Sequence, residues 1–316
     1  MWIILTLFVL IDGIAGRNPQ PWAAPLRAGM IAALVGVGIV LLWRARVRLS
    51  PGTIALVGVL AALAVADLYQ RSTIGISTWL VYAGAYLLQC AIKRDWRADF
   101  AMAGTVLAVL ALIVVVGTAI GIPKPAGAWN YNAMGGIMAS LLPAAITLPG
   151  RRRWINSAVI GSGVVVSTSR GAALGALSGL AVIVQPWLLV AMPLAGLALA
   201  FIRPVNSLYR FFYWSQALDA WRSSIAFGVG PGLQMPWEGI HVHNTLLGLS
   251  TQVGLVGIAI MTAMVTLARR IHMERWQLAT LAVVSVHGLV DDPLAWLPVG
   301  VIASLALVGS TPSERR

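Results

Sequence analysis

Charge is scarce in this chain of 316 residues, acidic charge is scarcer still, and cysteine is nearly missing. Charged side chains make up 10 %, with 10 Asp and Glu against 22 Lys and Arg, while 59 % of residues are apolar. A soluble globular domain of this length carries about a quarter charged residues, so that class is excluded. The single cysteine, Cys90 in an apolar run, excludes an intramolecular disulfide and a cysteine-based metal site, and it leaves the redox compartment unreadable. Phosphate-cradling P-loops and dinucleotide fingerprints are missing too. The net charge of +12 does not point to nucleic acid, because the basic residues fall in threes between apolar runs instead of lining one face.

What is present is a series of apolar runs, at 1–16, 26–43, 53–69, 73–92, 100–121, 131–149, 154–168, 171–185, 187–202, 245–268, 277–290 and 293–309. Each reads as one helical crossing of a hydrocarbon core about 30 Å thick. The expected fold is therefore all-α, a single integral membrane domain over 1–316 with about twelve transmembrane helices. The first run lacks a basic leader region and is followed by further runs, so it reads as the first helix instead of a signal peptide.

Alternate connections hold Arg44, Arg46 and Arg48; Lys93, Arg94 and Arg97; Arg151, Arg152 and Arg153; Arg269, Arg270 and Arg275; and Arg315 and Arg316. By the positive-inside rule these mark the cytoplasmic side, with both termini inside. Runs seven to nine are short, but treating 154–185 as one crossing forces the Arg269–Arg275 group outside. Residues 203–244 then form one long outer loop between helices 9 and 10, and long loops in compact domains are usually functional. Within it, "SLYRFFYWSQALDAWRSS" has aromatic and polar residues at the spacing of an interfacial helix, and "GVGPGL" at 228–233 reads as a turn.

At the end of this loop, "HVHN" places His241, His243 and Asn244 directly before an apolar helix. An imidazole there can take a proton from a hydroxyl, and Asn244 can cap the helix or orient a substrate. The competing reading is a solvated loop histidine beside a helix cap, and it is stronger for His241. Arg170, in "VVVSTSRGAALG", is flanked by apolar helix on both sides, where a charge is costly and points to function unless it snorkels to headgroups. Arg210 and Arg222 are about 18 Å apart on a continuous helix, so they do not grip one small anion together. Either could join Arg170 to clamp a diphosphate. Glu238 is the rival base or a partner for a histidine, and Asp291 and Asp292 read as a cap for the last helix. Two histidines with one distant carboxylate fall short of a zinc pattern, so neither metal nor cofactor is expected.

The pieces "NYNAMGGIMASLLP", "STSRGAALGAL", "YRFFYWSQALDAWRSSIAFGVGPGL" and "HVHNTLLGLSTQVGLVGI", in that order over the second half of the chain, resemble the O-antigen ligase and O-antigen polymerase family of bacterial envelope glycosyltransferases. The resemblance implies a metal-independent, inverting enzyme of the inner membrane whose site faces the periplasm. Its partners would be an undecaprenyl-diphosphate-linked glycan as donor, lipid A-core or another glycan as acceptor, and membrane lipids. Carried over residue by residue, it implies Arg170 and Arg210 at the diphosphate and His243 as catalytic base, with Arg222, His241, Asn244 and Glu238 as further binding or orienting residues. The ligase and the polymerase both fit these motifs. Peptidoglycan polymerases share the architecture and would use a carboxylate such as Glu238, and a transporter of a lipid-linked or anionic solute is the reading from outside enzymes.

Overall fold

In the computed structural model, the described residues are 2–15, 23–45, 54, 57–58, 60–61, 73–92, 95–122, 131–202, 204–229, 244–269, 273–291 and 297–307. Among them the chain is all-α, with no strand. The helices are α1 (Trp2–Ala15), α2 (Ala23–Ala45), α3 (Thr73–Ile92), α4 (Arg97–Ala119), α5 (Tyr131–Ile146), α6 (Arg151–Val166), α7 (Arg170–Val184), α8 (Met192–Ile202), α9 (Pro204–Ser223), α10 (Thr245–Arg269), α11 (Arg275–Gly288) and α12 (Leu297–Ala306). Eleven of the twelve apolar runs carry one of these helices; the run at 53–69 lies mostly outside the described residues. The remaining helix, α9, is the amphipathic stretch of the long loop.

Local chemistry sets the boundaries. Helix α4 stops at Gly121, whose φ of 86° lets Ile122 N–H reach the Gly117 carbonyl at 2.8 Å and Gly121 N–H reach Thr118 at 3.2 Å, a glycine-ended helix stop. Helix α11 begins with a reciprocal cap between Glu274 and Gln277. The ninth run is divided, because Pro186 starts a 3₁₀ segment (Pro186–Ala191) before α8. Likewise 154–185 is two helices, broken by a turn at Ser167–Ser169.

Five helices, α4 to α7 and α11, make the core, and small residues let them approach closely. A methyl group on Gly104 would lie 2.8 Å from Ile160 Cδ1, and one on Gly163 would lie 2.5 Å from Met138 Sδ and 2.7 Å from Ala108 Cβ. On α7, Gly171, Gly175 and Gly179 stand four residues apart and face His287, Val283 and Ala279 in turn, so α7 and α11 run antiparallel at close range. Thr280 Oγ1 adds a hydrogen bond across to the Ser140 carbonyl, 3.3 Å. Outside this core, α2 and α3 run side by side in one direction, with Gly38 on Gly84 and Leu88, and the Tyr82 ring lies on Gly300 of α12.

The bundle has two unlike ends. Arg97, Arg151 and Arg275 each begin a helix at the same end. There Phe100 packs edge-on to Trp276 with ring centroids 5.8 Å apart, and Arg97 pairs with Asp95 at 2.6 Å and Glu274 at 3.7 Å. Opposite lie the Ser167–Ser169 turn and the end of α11. The flanks between are apolar and outward-facing, including Ile113, Val116, Val165, Trp187 and Val190. By length and composition, one helix among the described residues, α4, is long and apolar enough to cross a membrane; the other apolar stretches, such as Asn132–Ile146 and Arg170–Val184, are shorter.

Candidate functional site

The end of the bundle away from the arginine-rich helix starts holds Arg170, Arg210 and Asn244 of the polar residues that the sequence singles out. It is built first from the α6–α7 turn. Ser167 Oγ donates to the Val164 carbonyl at 2.6 Å, Ser169 Oγ accepts from Ala172 N–H at 3.2 Å, and Thr168 between them holds a left-handed φ of 52°. That backbone is costly for a β-branched residue and persists only where its surroundings enforce it. The turn puts Arg170 at the first position of α7, half-buried, where the helix dipole is positive and a guanidinium is least favoured unless an anion joins it.

Directly after Arg170, Gly171 lies against His287. A methyl group on Gly171 would lie 2.6 Å from Cδ2 and 2.7 Å from Nε2 of the imidazole, which is wholly buried. His287 occupies the last turn of α11, and the chain then tightens, with Val290 N–H and Asp291 N–H both donating to the His287 carbonyl at 3.1 and 2.9 Å. This turn presents the carbonyls of Leu289 and Val290 to side chains from elsewhere, as helix C-termini require. Asn244 Nδ2 donates to the Leu289 carbonyl at 2.9 Å. Arg210 Nη1 donates to the Val290 carbonyl, and Arg210 Nη2 lies 3.7 Å from Asp291 Oδ2. The Asp291 carboxylate, which the sequence offers as a cap for the last helix, is thus turned to Arg210 and is buried. Asp291 and Arg210 both lie within electrostatic reach of His287.

Two of the anticipated residues, Arg210 and Asn244, therefore bond to the turn at 287–291, and a third, Arg170, is next in sequence to Gly171, which packs on it. Asn244 also does what its position before a helix suggests, since its Oδ1 accepts from Leu247 N–H at 2.9 Å and caps α10. Arg222 is not part of this group. It pairs with Asp219 at 2.8 Å, one turn away on the far part of α9, and both side chains are exposed. His243, His241 and Glu238 lie outside the described residues, as does Asp292.

The long loop is anchored by backbone. After α9 the chain turns at Gly228, φ 71°, and α10 breaks at Gly254, φ 62° and ψ −161°. The break frees amides that the loop takes up: Leu255 N–H donates to Ile225 at 2.9 Å, Val256 N–H to Ala226 at 3.1 Å, and Val229 N–H to Thr251 at 2.8 Å. Thr251 Oγ1 reaches back to the Ala217 carbonyl of α9 at 3.3 Å. A side chain at either glycine would run into the backbone of the other segment.

His287 is the residue that sequence reasoning overlooked. A signal was there: "VHGLVDD" is a polar island closing an apolar run, and the Gly171, Gly175 and Gly179 spacing announces a close-packed partner for α7. No protein-family model matches the chain, and no curated protein is significantly similar to it.

Proposed function

We propose that this chain is a twelve-span glycosyltransferase of a bacterial inner membrane that moves a glycan from undecaprenyl diphosphate to an acceptor on the periplasmic face, as an O-antigen ligase does with lipid A-core. The observation that carries the reading is that Arg210 and Asn244 bond to the end of α11 while Gly171, the residue after Arg170, packs against the same end. This end is opposite the arginine-rich helix starts, which the positive-inside rule assigns to the cytoplasm. The apolar, outward-facing flanks suit a hydrocarbon surround. Two guanidinium groups near a strained, serine-capped helix start suit a diphosphate, which needs charge-assisted hydrogen bonds in a site of low dielectric.

In this reaction the acceptor hydroxyl attacks the anomeric carbon as the bond to the diphosphate breaks, and the configuration inverts. His243 takes the hydroxyl proton, an assistance commonly worth a factor of about 10² to 10⁴ in rate. Arg170 and Arg210 hold the departing diphosphate, whose charge grows in the transition state. Asn244, next in sequence to His243, caps α10.

The test is product analysis of the purified protein in nanodiscs, given an undecaprenyl-diphosphate oligosaccharide without divalent metal, with and without lipid A-core. One adduct that requires lipid A-core is the ligase outcome, and a ladder from donor alone is the polymerase outcome. His243→Ala should abolish either product. Activity that survives in that variant but is lost in Glu238→Gln would transfer the base to Glu238 and the class to peptidoglycan polymerases. Transport of the donor without any transfer would replace the enzyme reading with a carrier.

A further inference from the structure

Asp291 has no role in the chemistry above, yet its ion pair with Arg210 joins the long-loop helix to the core bundle. Among the described residues α9 packs mainly on α10 and slightly on α8, so its place against α11 is set by few contacts. Arg210 supplies two of them, one to the Val290 carbonyl and one to the Asp291 carboxylate. Asp291 is held in turn by its own N–H on the His287 carbonyl, at 2.9 Å, and is 3 % exposed. His287 packs on Gly171, the residue after Arg170. A continuous series of contacts therefore runs from Arg210 through Asp291 and His287 to the start of α7.

We infer that Asp291 is the positioning residue of the diphosphate site: it fixes the Arg210 fork against the end of α11, with the remaining N–H groups of the guanidinium left for an anionic donor on the α7 side. This rests on the glycosyltransferase reading. A guanidinium has five donors in a rigid fork, so two can be anchored while others bind ligand. The anchor also balances the charge of Arg210 when the site is empty, which a partly buried cation requires. Because a carboxylate also repels the incoming diphosphate, simple neutralisation would mix two opposite effects. Asp291→Glu separates them, since it keeps the charge and moves the carboxylate by one methylene.

The experiment measures binding of undecaprenyl diphosphate to the full chain in nanodiscs, for wild type, Asp291→Glu, Arg210→Ala and the double variant. The expected result is a loss of about tenfold in affinity for Asp291→Glu in the wild-type background and of less than about twofold in the Arg210→Ala background. With the glycan donor, the same variant should lower kcat/KM by at least about tenfold in the wild-type background and by less than about twofold in the Arg210→Ala background. Equal losses from Asp291→Glu in both backgrounds would make Asp291 a general structural residue and overturn the inference, as would unchanged affinity. A wild-type chain that binds no diphosphate would instead overturn the glycosyltransferase reading, and this inference with it.

Discussion

Two of the glycine-lined contacts among the described residues bring chain segments together by different means. Along α7 and α11, Gly171, Gly175 and Gly179 keep helical backbone and simply leave out a side chain, so that another helix can lie close. Between the α9 turn and α10, Gly228 and Gly254 supply left-handed backbone, and the segments exchange main-chain hydrogen bonds across the break. The first contact is van der Waals packing of whole helix faces, which tolerates small shifts. The second is a set of directional bonds around two φ values that side-chain-bearing residues rarely adopt. A bundle core built in the first way is sturdy, and a loop pinned in the second way is specific but easily undone.

Substitutions at the two kinds of glycine test this contrast. Gly254→Ala has the largest expected effect, because strain at positive φ adds to overlap with the Ala226 carbonyl. A loss of about 2–4 kcal/mol is expected. Thermal unfolding in detergent measures it, and hydrogen exchange should show faster exchange at Leu255 and Val256 while α7 stays protected. If α7 loses protection equally, the two regions are one cooperative unit and the contrast fails. Gly175→Ala should cost less, about 1–2 kcal/mol, since its methyl would meet Val283 at 3.0–3.2 Å with no backbone strain. Asn244→Ala removes the cap of α10 and the bond to Leu289, for about 1 kcal/mol. Its signature is loosening of the α10 start, read from protection of Leu247. Arg222→Gln lies at the bottom of the scale: an exposed pair with Asp219 contributes little, and neither melting nor glycan transfer should change measurably. A loss of transfer in that variant would draw Arg222 into the site after all.

The sequence made the helices legible because burial and hydrophobic runs write directly into composition. The runs at 73–92 and 131–149 coincide closely with α3 and α5, and the choice of two helices over 154–185 matches the turn that Ser167, Thr168 and Ser169 make. Breaks and partnerships are a different matter. "TLLGLSTQVGLVGI" has one uninterrupted apolar pattern, and nothing in it says that Gly254 takes positive φ, because that conformation depends on carbonyls contributed by residues 225 and 226. His287 escaped notice, and Asp291 was read only as a helix cap, for a similar reason. Their meaning comes from Gly171 and Arg210, 116 and 81 positions earlier, and local pattern carries no information about which helix lies alongside. Asn244 was legible as a cap, which is a local property, but its bond to Leu289 was not.

The end of α11 also fixes a schedule. Arg210 and Asn244 bond to residues 289–291, and Gly171 beside Arg170 packs on His287; these partners leave the ribosome after all three. During synthesis the α6–α7 turn, α9 and α10 must therefore wait for a stretch of chain that is made after all of them. A chain halted before His287 would contain Arg210, Asn244 and Gly171 and still lack the turn against which all three are placed.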